Sequence, residues 1–93
     1  IGKFLHNIEL LTEGLKKEPH NYRYMFYLAE SYRDAGQKGN ALETYQKRVA
    51  MGGWDEEVFC SKLQIAHLLR DMGFPTNLVE EAYEMAHKFR PHR

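Results

Sequence analysis

The sequence predicts an all-α fold of about five helices arranged as antiparallel pairs, and three observations carry that prediction. Apolar residues recur at the 3.6-residue helical period along most of the chain. Glycine and proline punctuate it between those stretches, and one glycine-ended pattern occurs twice. No segment shows strand-like alternation or an Asn-Gly hairpin signal.

The first helix is expected over Lys3 to Lys17, with Phe4, Ile8, Leu11 and Leu15 on one face, Leu5 and Leu10 beside them, and that face buried. Lys16 and Lys17 suit the negative end of the helix dipole, and Pro19 prevents continuation. Asn21 can cap a second helix reaching about Ala35. Met25, Leu28, Ala29 and Tyr32 form its stripe, and Gly36 serves as a terminator free to take positive φ.

A third helix is predicted from Gly39 or Asn40 to Met51, with Ala41, Leu42, Tyr45 and Val49 inside and Gly52-Gly53 as a flexible stop. Asp55 is the expected cap of a fourth. Glu56 and Glu57 fall in its first turn as solvated charges, Val58, Ile65, Leu69 and Met72 form its stripe, and Gly73 ends it. The fifth starts near Pro75, suited to a first helical turn, and carries Leu78, Ala82, Met85 and Phe89 before Pro91.

Self-comparison links these segments. Leu28-Ala29-x-x-Tyr32-x-x-x-Gly36 recurs 37 residues later as Ile65-Ala66-x-x-Leu69-x-x-x-Gly73. The alanines let a neighbouring helix approach closely, the larger residues fill the space within a pair, and the glycines turn the chain back. In this respect the chain resembles the tetratricopeptide repeat family, whose 34-residue unit is matched by Ala29, Tyr32, Gly36, Ala41 and Tyr45. Thirty-four residues before Tyr45 stands Leu11, and the family's terminal proline falls on Pro19.

The resemblance implies a single domain, 1–93, built as a short right-handed solenoid: 3–18 as the second helix of a truncated repeat, 21–51 as the best-matched repeat, and 55–90 as a divergent one. The last unit departs from the pattern, with Leu78 in the place of Ala41 and an inserted Gly52-Gly53-Trp54. The runs Arg23-Tyr24-Met25-Phe26-Tyr27-Leu28-Ala29 and Gly52-Gly53-Trp54-Asp55-Glu56-Glu57-Val58-Phe59 also look like helical segments attached to bacterial family 2 glycosyltransferases. That second resemblance implies a parent enzyme of sugar transfer. It assigns no transferase chemistry to this segment, which holds no Asp-x-Asp element.

Composition narrows the function classes. Ninety-three residues suffice for one small core. Thirteen Lys plus Arg balance thirteen Asp plus Glu, leaving no net pull toward nucleic acid or anionic lipid. A lone Cys60 permits no internal disulfide and no C-x-x-C pair, reads as a small packing residue, and fits a reducing, cytoplasmic setting. No run approaches the length of a membrane-spanning helix, and the N-terminus lacks a signal-peptide core. Ile1 already lies inside an amphipathic pattern, which predicts excision from a longer polypeptide.

The residues that could carry chemistry lack its spacing. His6, His20, His67, His87 and His92 include no i, i+4 pair of the H-E-x-x-H kind, so no metal site is expected. Cys60, Ser31 and Ser61 stand in no nucleophile motif, and no phosphate- or dinucleotide-binding glycine pattern occurs; neither a catalytic residue nor a cofactor is expected. Glu56-Glu57 and Glu80-Glu81 are neighbours along helices and point apart. Arg90, His92 and Arg93 read as helix-terminal charge rather than a nucleic-acid site.

The expected function is therefore a non-catalytic scaffold for a protein, a peptide or an adjoining domain of the parent chain, with open terminal helices that allow self-association. The tetratricopeptide resemblance places Arg23, Phe26, Tyr27, Glu30 and Arg33 on the partner-binding face from one unit, and Leu63, Gln64, His67 and Arg70 from the next. Phe26 and Tyr27 would anchor, and Arg33, His67 and Arg70 would supply polar recognition. Tyr24, Phe26 and Tyr27 stand so close together that at least one is expected in the core. The chaperone-binding members of the family use Lys and Asn where this chain has Phe26 and Glu30, which argues against capture of a C-terminal carboxylate. Trp54 reads as a packing residue at a helix start, with presentation to a ligand as the competing role.

Overall fold

The computed structural model describes residues 2–90, and these form five helices with no strand among them: α1 (Gly2–Lys17), α2 (Tyr22–Asp34), α3 (Lys38–Met51), α4 (Asp55–Asp71) and α5 (Thr76–Lys88). Short connections fold each helix back against the one before it, so that packing follows chain order. The expected Pro91 stop and the basic residues His92 and Arg93 lie outside the described residues. No helix among those described is long and apolar enough to cross a membrane.

Ala29, Ala41, Tyr45 and Leu68 form the centre of the core, with Phe26, Tyr32, Leu42 and Ile65 packed around them. Alanine at 29 and 41 brings α2 and α3 close, and the Tyr45 ring fills the space left, reaching Leu68 of α4. The Asn21 cap forms as expected, its side chain accepting from the Tyr24 N–H.

The recurring glycine pattern closes α2 and α4 in the same way. Gly36 and Gly73 both have φ of +80°. Gln37 N–H reaches the Tyr32 carbonyl and Gly36 N–H that of Arg33, and Phe74 and Gly73 repeat this on Leu69 and Arg70. A Cβ at Gly73 would meet nothing within 4 Å, so only the backbone conformation opposes a side chain there. Gly73→Ala should therefore lower the unfolding free energy by about 1–2 kcal/mol. Gly39→Ala, inside α3 and equally open, should raise it by about 0.5–1 kcal/mol, both read from urea denaturation.

Several sequence expectations need correction. Asp55 is the first helical residue of α4, and Trp54 occupies the cap without a side-chain bond, its carbonyl accepting from Glu57 and Val58 N–H. The starts expected about Gly39 or Asn40 and near Pro75 fall one or two residues away, at Lys38 for α3 and at Thr76 for α5, with Pro75 in the cap position rather than in the first helical turn. Gly52 and Gly53 form a defined turn, both at positive φ, with the Gly53 backbone against the Tyr22 ring. Met72, Leu78 and Met85 are exposed, α1 buries no residue fully, and Cys60 faces the surface. Helical periodicity marks the face a helix can bury, but among the described residues α1 packs mainly on α2 and α5 mainly on α4.

Glu57 departs furthest from expectation. It is buried, not solvated: its Oε1 accepts a hydrogen bond from Arg48 Nε at 2.8 Å, and its Oε2 forms an ion pair with Arg23, 3.1 Å from Nε. The Arg48 side chain is fully buried, lies over the Tyr22 ring and also donates to the Gly52 carbonyl. This ion pair fastens α2, α3 and α4 together at the glycine turn.

Candidate functional site

The positions expected on the binding face correspond across the 37-residue offset: Phe26 with Leu63, Tyr27 with Gln64, Glu30 with His67, and Arg33 with Arg70. Their surroundings correspond too. Arg33 is held between the carboxylate of Asp34 at 3.1 Å and the hydroxyl of Tyr45 from the following helix at 3.2 Å. Arg70 is held between Asp71 at 3.2 Å and the hydroxyl of Tyr83 from its own following helix at 3.0 Å. Each guanidinium is thus oriented by a neighbour in sequence and a phenol across the helix pair.

The residue three positions earlier distinguishes the two clusters. In the second pair His67 Nδ1 lies 2.6 Å from the Tyr83 hydroxyl, with the rings edge to face, so His67, Arg70 and Tyr83 form one hydrogen-bonded group. In the first pair the corresponding residue is Glu30, which feels Arg33 electrostatically but bonds to neither it nor Tyr45. Burial pushes the Glu30 carboxyl above its ordinary value, Arg33 opposes the shift, and Asp34 and Glu57 add to it. Burial also pushes the Tyr45 phenol well above the ordinary range, against the attraction of Arg33, so the phenol stays protonated at neutral pH.

A raised folded-state carboxyl pKa means that the folded protein holds the proton more tightly than the unfolded chain. The stabilisation linked to it is complete below the ordinary value of 4.5 and is lost as pH rises through the raised value. Glu30→Gln should remove that dependence. Urea midpoints of the two proteins should therefore shift in favour of the variant as pH climbs from the acid range to neutrality.

The remaining expected residues fall into two groups. Arg23 runs across the surface to α4, its guanidinium 5.3 Å from the Tyr27 ring centre and 5.1 Å from that of Trp54, with Tyr27 accepting a hydrogen bond from it. Tyr27 and Trp54 are both exposed. Phe26 instead packs against the core, 6.1 Å from the Tyr45 ring in an edge-on contact. Leu63 and Gln64 are partly buried on α4.

Sequence reasoning missed Tyr45 and Tyr83 as hydroxyl partners and Asp34 and Asp71 as orienting carboxylates. One signal was available, because the dipeptide Arg33-Asp34 recurs as Arg70-Asp71 at the same offset. Among the described residues no group of three or more His, Cys, Asp or Glu is placed to hold a metal ion. No protein-family model, curated protein or solved structure matches this chain.

Proposed function

We propose that this chain is a non-catalytic interaction module, a short tetratricopeptide-like stack in which α2 and α4 offer one face to a protein or peptide. The observation that carries this reading is the repeated arginine cluster. At corresponding places on α2 and α4, an arginine is fixed by a carboxylate and a phenol while part of it stays in contact with solvent. Such fixed polar groups lose little side-chain freedom on meeting a partner. Packing in chain order and the identical closure of α2 and α4 support the stacked arrangement.

Replacing Arg33, His67 and Arg70 together with alanine should weaken capture of a binding partner about tenfold or more, with helicity by circular dichroism unchanged. Equal affinity in a folded triple variant would end this assignment.

A second reading draws on the outer helices. Leu5 on α1 and Leu78 and Met85 on α5 are large, apolar and exposed. They favour use of the segment as a packing accessory to an adjoining domain, with a bacterial glycosyltransferase as the candidate parent. In that case an α/β domain in the same polypeptide should protect Leu78 and Met85 from oxidation or labelling in the intact protein.

A further inference from the structure

α1 and α2 leave between them an open groove of about 390 Å³, within the usual range of ligand clefts of about 300–1,000 Å³. Phe4, Leu10 and Leu11 wall it from α1. Tyr27, Glu30 and Asp34 line it from α2 at i, i+3 and i+7. The α1 wall is thus mainly apolar, with Asn7 as its one polar side chain, and the α2 wall, which also includes Ser31, carries two carboxylates.

The next helix interface shows why this space is open. Thirty-four residues after Asn7, Leu10 and Leu11 stand Ala41, Thr44 and Tyr45, and all three are buried. Thirty-seven residues after Ser31 stands Leu68, also buried, and it packs with Tyr45 in the core. Leu11 is smaller than Tyr45 and Ser31 smaller than Leu68, so these two positions fill less of the space between α1 and α2 than their counterparts fill between α3 and α4, and the larger Leu10 points partly into solvent instead of making up the difference. Leu10 remains 58% exposed where Thr44 is 6% exposed.

No cation lines the groove. Asp34 is already engaged by Arg33, whereas Glu30 holds no hydrogen bond or ion pair among the described residues. Its anion is partly desolvated and lacks a bonded counterion, which an incoming cation would supply.

We propose that this groove receives a lysine or arginine side chain presented by a partner peptide, its methylene stem against Phe4, Leu10 and Leu11 and its charged head on Glu30. The assignment rests on the interaction-module reading and gives the partner its chemistry. Basic side chains join an apolar stem to a cationic head, which matches the two walls. An acidic segment would set anion against anion, and a purely apolar one would bury Glu30 further without a counterion.

The test is an amide NMR titration of the full chain with acetyl-Gly-Leu-Arg-Leu-Gly-amide and with peptides carrying Glu or norleucine in place of Arg. The Arg peptide alone should give saturable shifts centred on Asn7, Leu11, Tyr27 and Glu30. Glu30→Gln should weaken its binding about tenfold, and Ser31→Leu, which fills the groove as Leu68 fills its counterpart, should abolish it in a protein whose spectrum stays folded. Equal binding of the Glu or norleucine peptide, unchanged affinity in Glu30→Gln, shifts centred on Leu78 and Met85, or no saturable shift at all would each overturn the assignment. If the Arg33, His67 and Arg70 triple variant still loses partner capture while the groove binds no Arg peptide, only the groove assignment falls.

Discussion

Glu57→Ala should lower the unfolding free energy by about 3–5 kcal/mol, as measured by urea denaturation at neutral pH. Both oxygens of this carboxylate are bound, one to Arg48 and the other to Arg23, and its side chain is 3% exposed. The Arg48 side chain is 0% exposed, so removing Glu57 strands a guanidinium in the interior with only the Gly52 carbonyl and the Tyr22 ring around it. A small domain has a total stability of about 5–15 kcal/mol, so the variant should be close to unfolding. Replacing both partners by Arg48→Met and Glu57→Leu should recover much of the loss, because no uncompensated charge remains. Arg23→Ala should cost no more than about 1 kcal/mol, since its side chain is nearly half exposed. A Glu57→Ala loss as small as that of Arg23→Ala would contradict the role given to the buried pair.

Tyr45→Ala should cost a similar amount, about 3–5 kcal/mol, through a different mechanism. The residue is fully buried, joins Ala29 of α2 and Leu68 of α4 in one core cluster, and stacks edge-on against Phe26. Truncation leaves a cavity at the junction of three helices, and the alanines around it cannot expand to fill it. Tyr45→Phe separates the ring from its hydroxyl. That variant should lose only about 1 kcal/mol, the net worth of the bond from Arg33, while freeing that guanidinium from one of its two anchors. If partner binding depends on a fixed Arg33, Tyr45→Phe should weaken it more than it weakens the fold.

The five helices were legible because each signal in the sequence acts locally. Asn21 caps its own helix, Gly36 and Gly73 turn the chain at once, and the alanines at 29 and 66 mark where a neighbour must come close. The buried ion pair was not legible. Glu57 in the first turn of α4 looks like a charge favoured by the helix dipole, and only the Gly52-Gly53 reversal brings it to Arg48, nine residues earlier. The same limit hid Tyr83, which lies 16 residues from His67 and 13 from Arg70. Exposure of Met72, Leu78 and Met85 was misread because an apolar stripe records what a helix can bury, not how many neighbours it has.

Of the candidate site, the nine expected positions came from the tetratricopeptide resemblance, and eight of them correspond in pairs across the internal repeat. What fixes them did not, apart from the duplicated Arg-Asp. Spacing alone also could not show that α1 and α2 would be left with an open groove where Tyr45 and Leu68 pack together between α3 and α4.

The interaction reading is tested most directly by photo-cross-linking, with a benzoylphenylalanine placed singly at Tyr27, Gln64, Glu43 or Lys47 of the folded chain. The last two lie on the exposed side of α3, joined by their own ion pair. A partner bound to the α2 and α4 face should form adducts through positions 27 and 64 and leave 43 and 47 unlabelled. Adducts through 43 and 47, with none at 27 and 64, would contradict it.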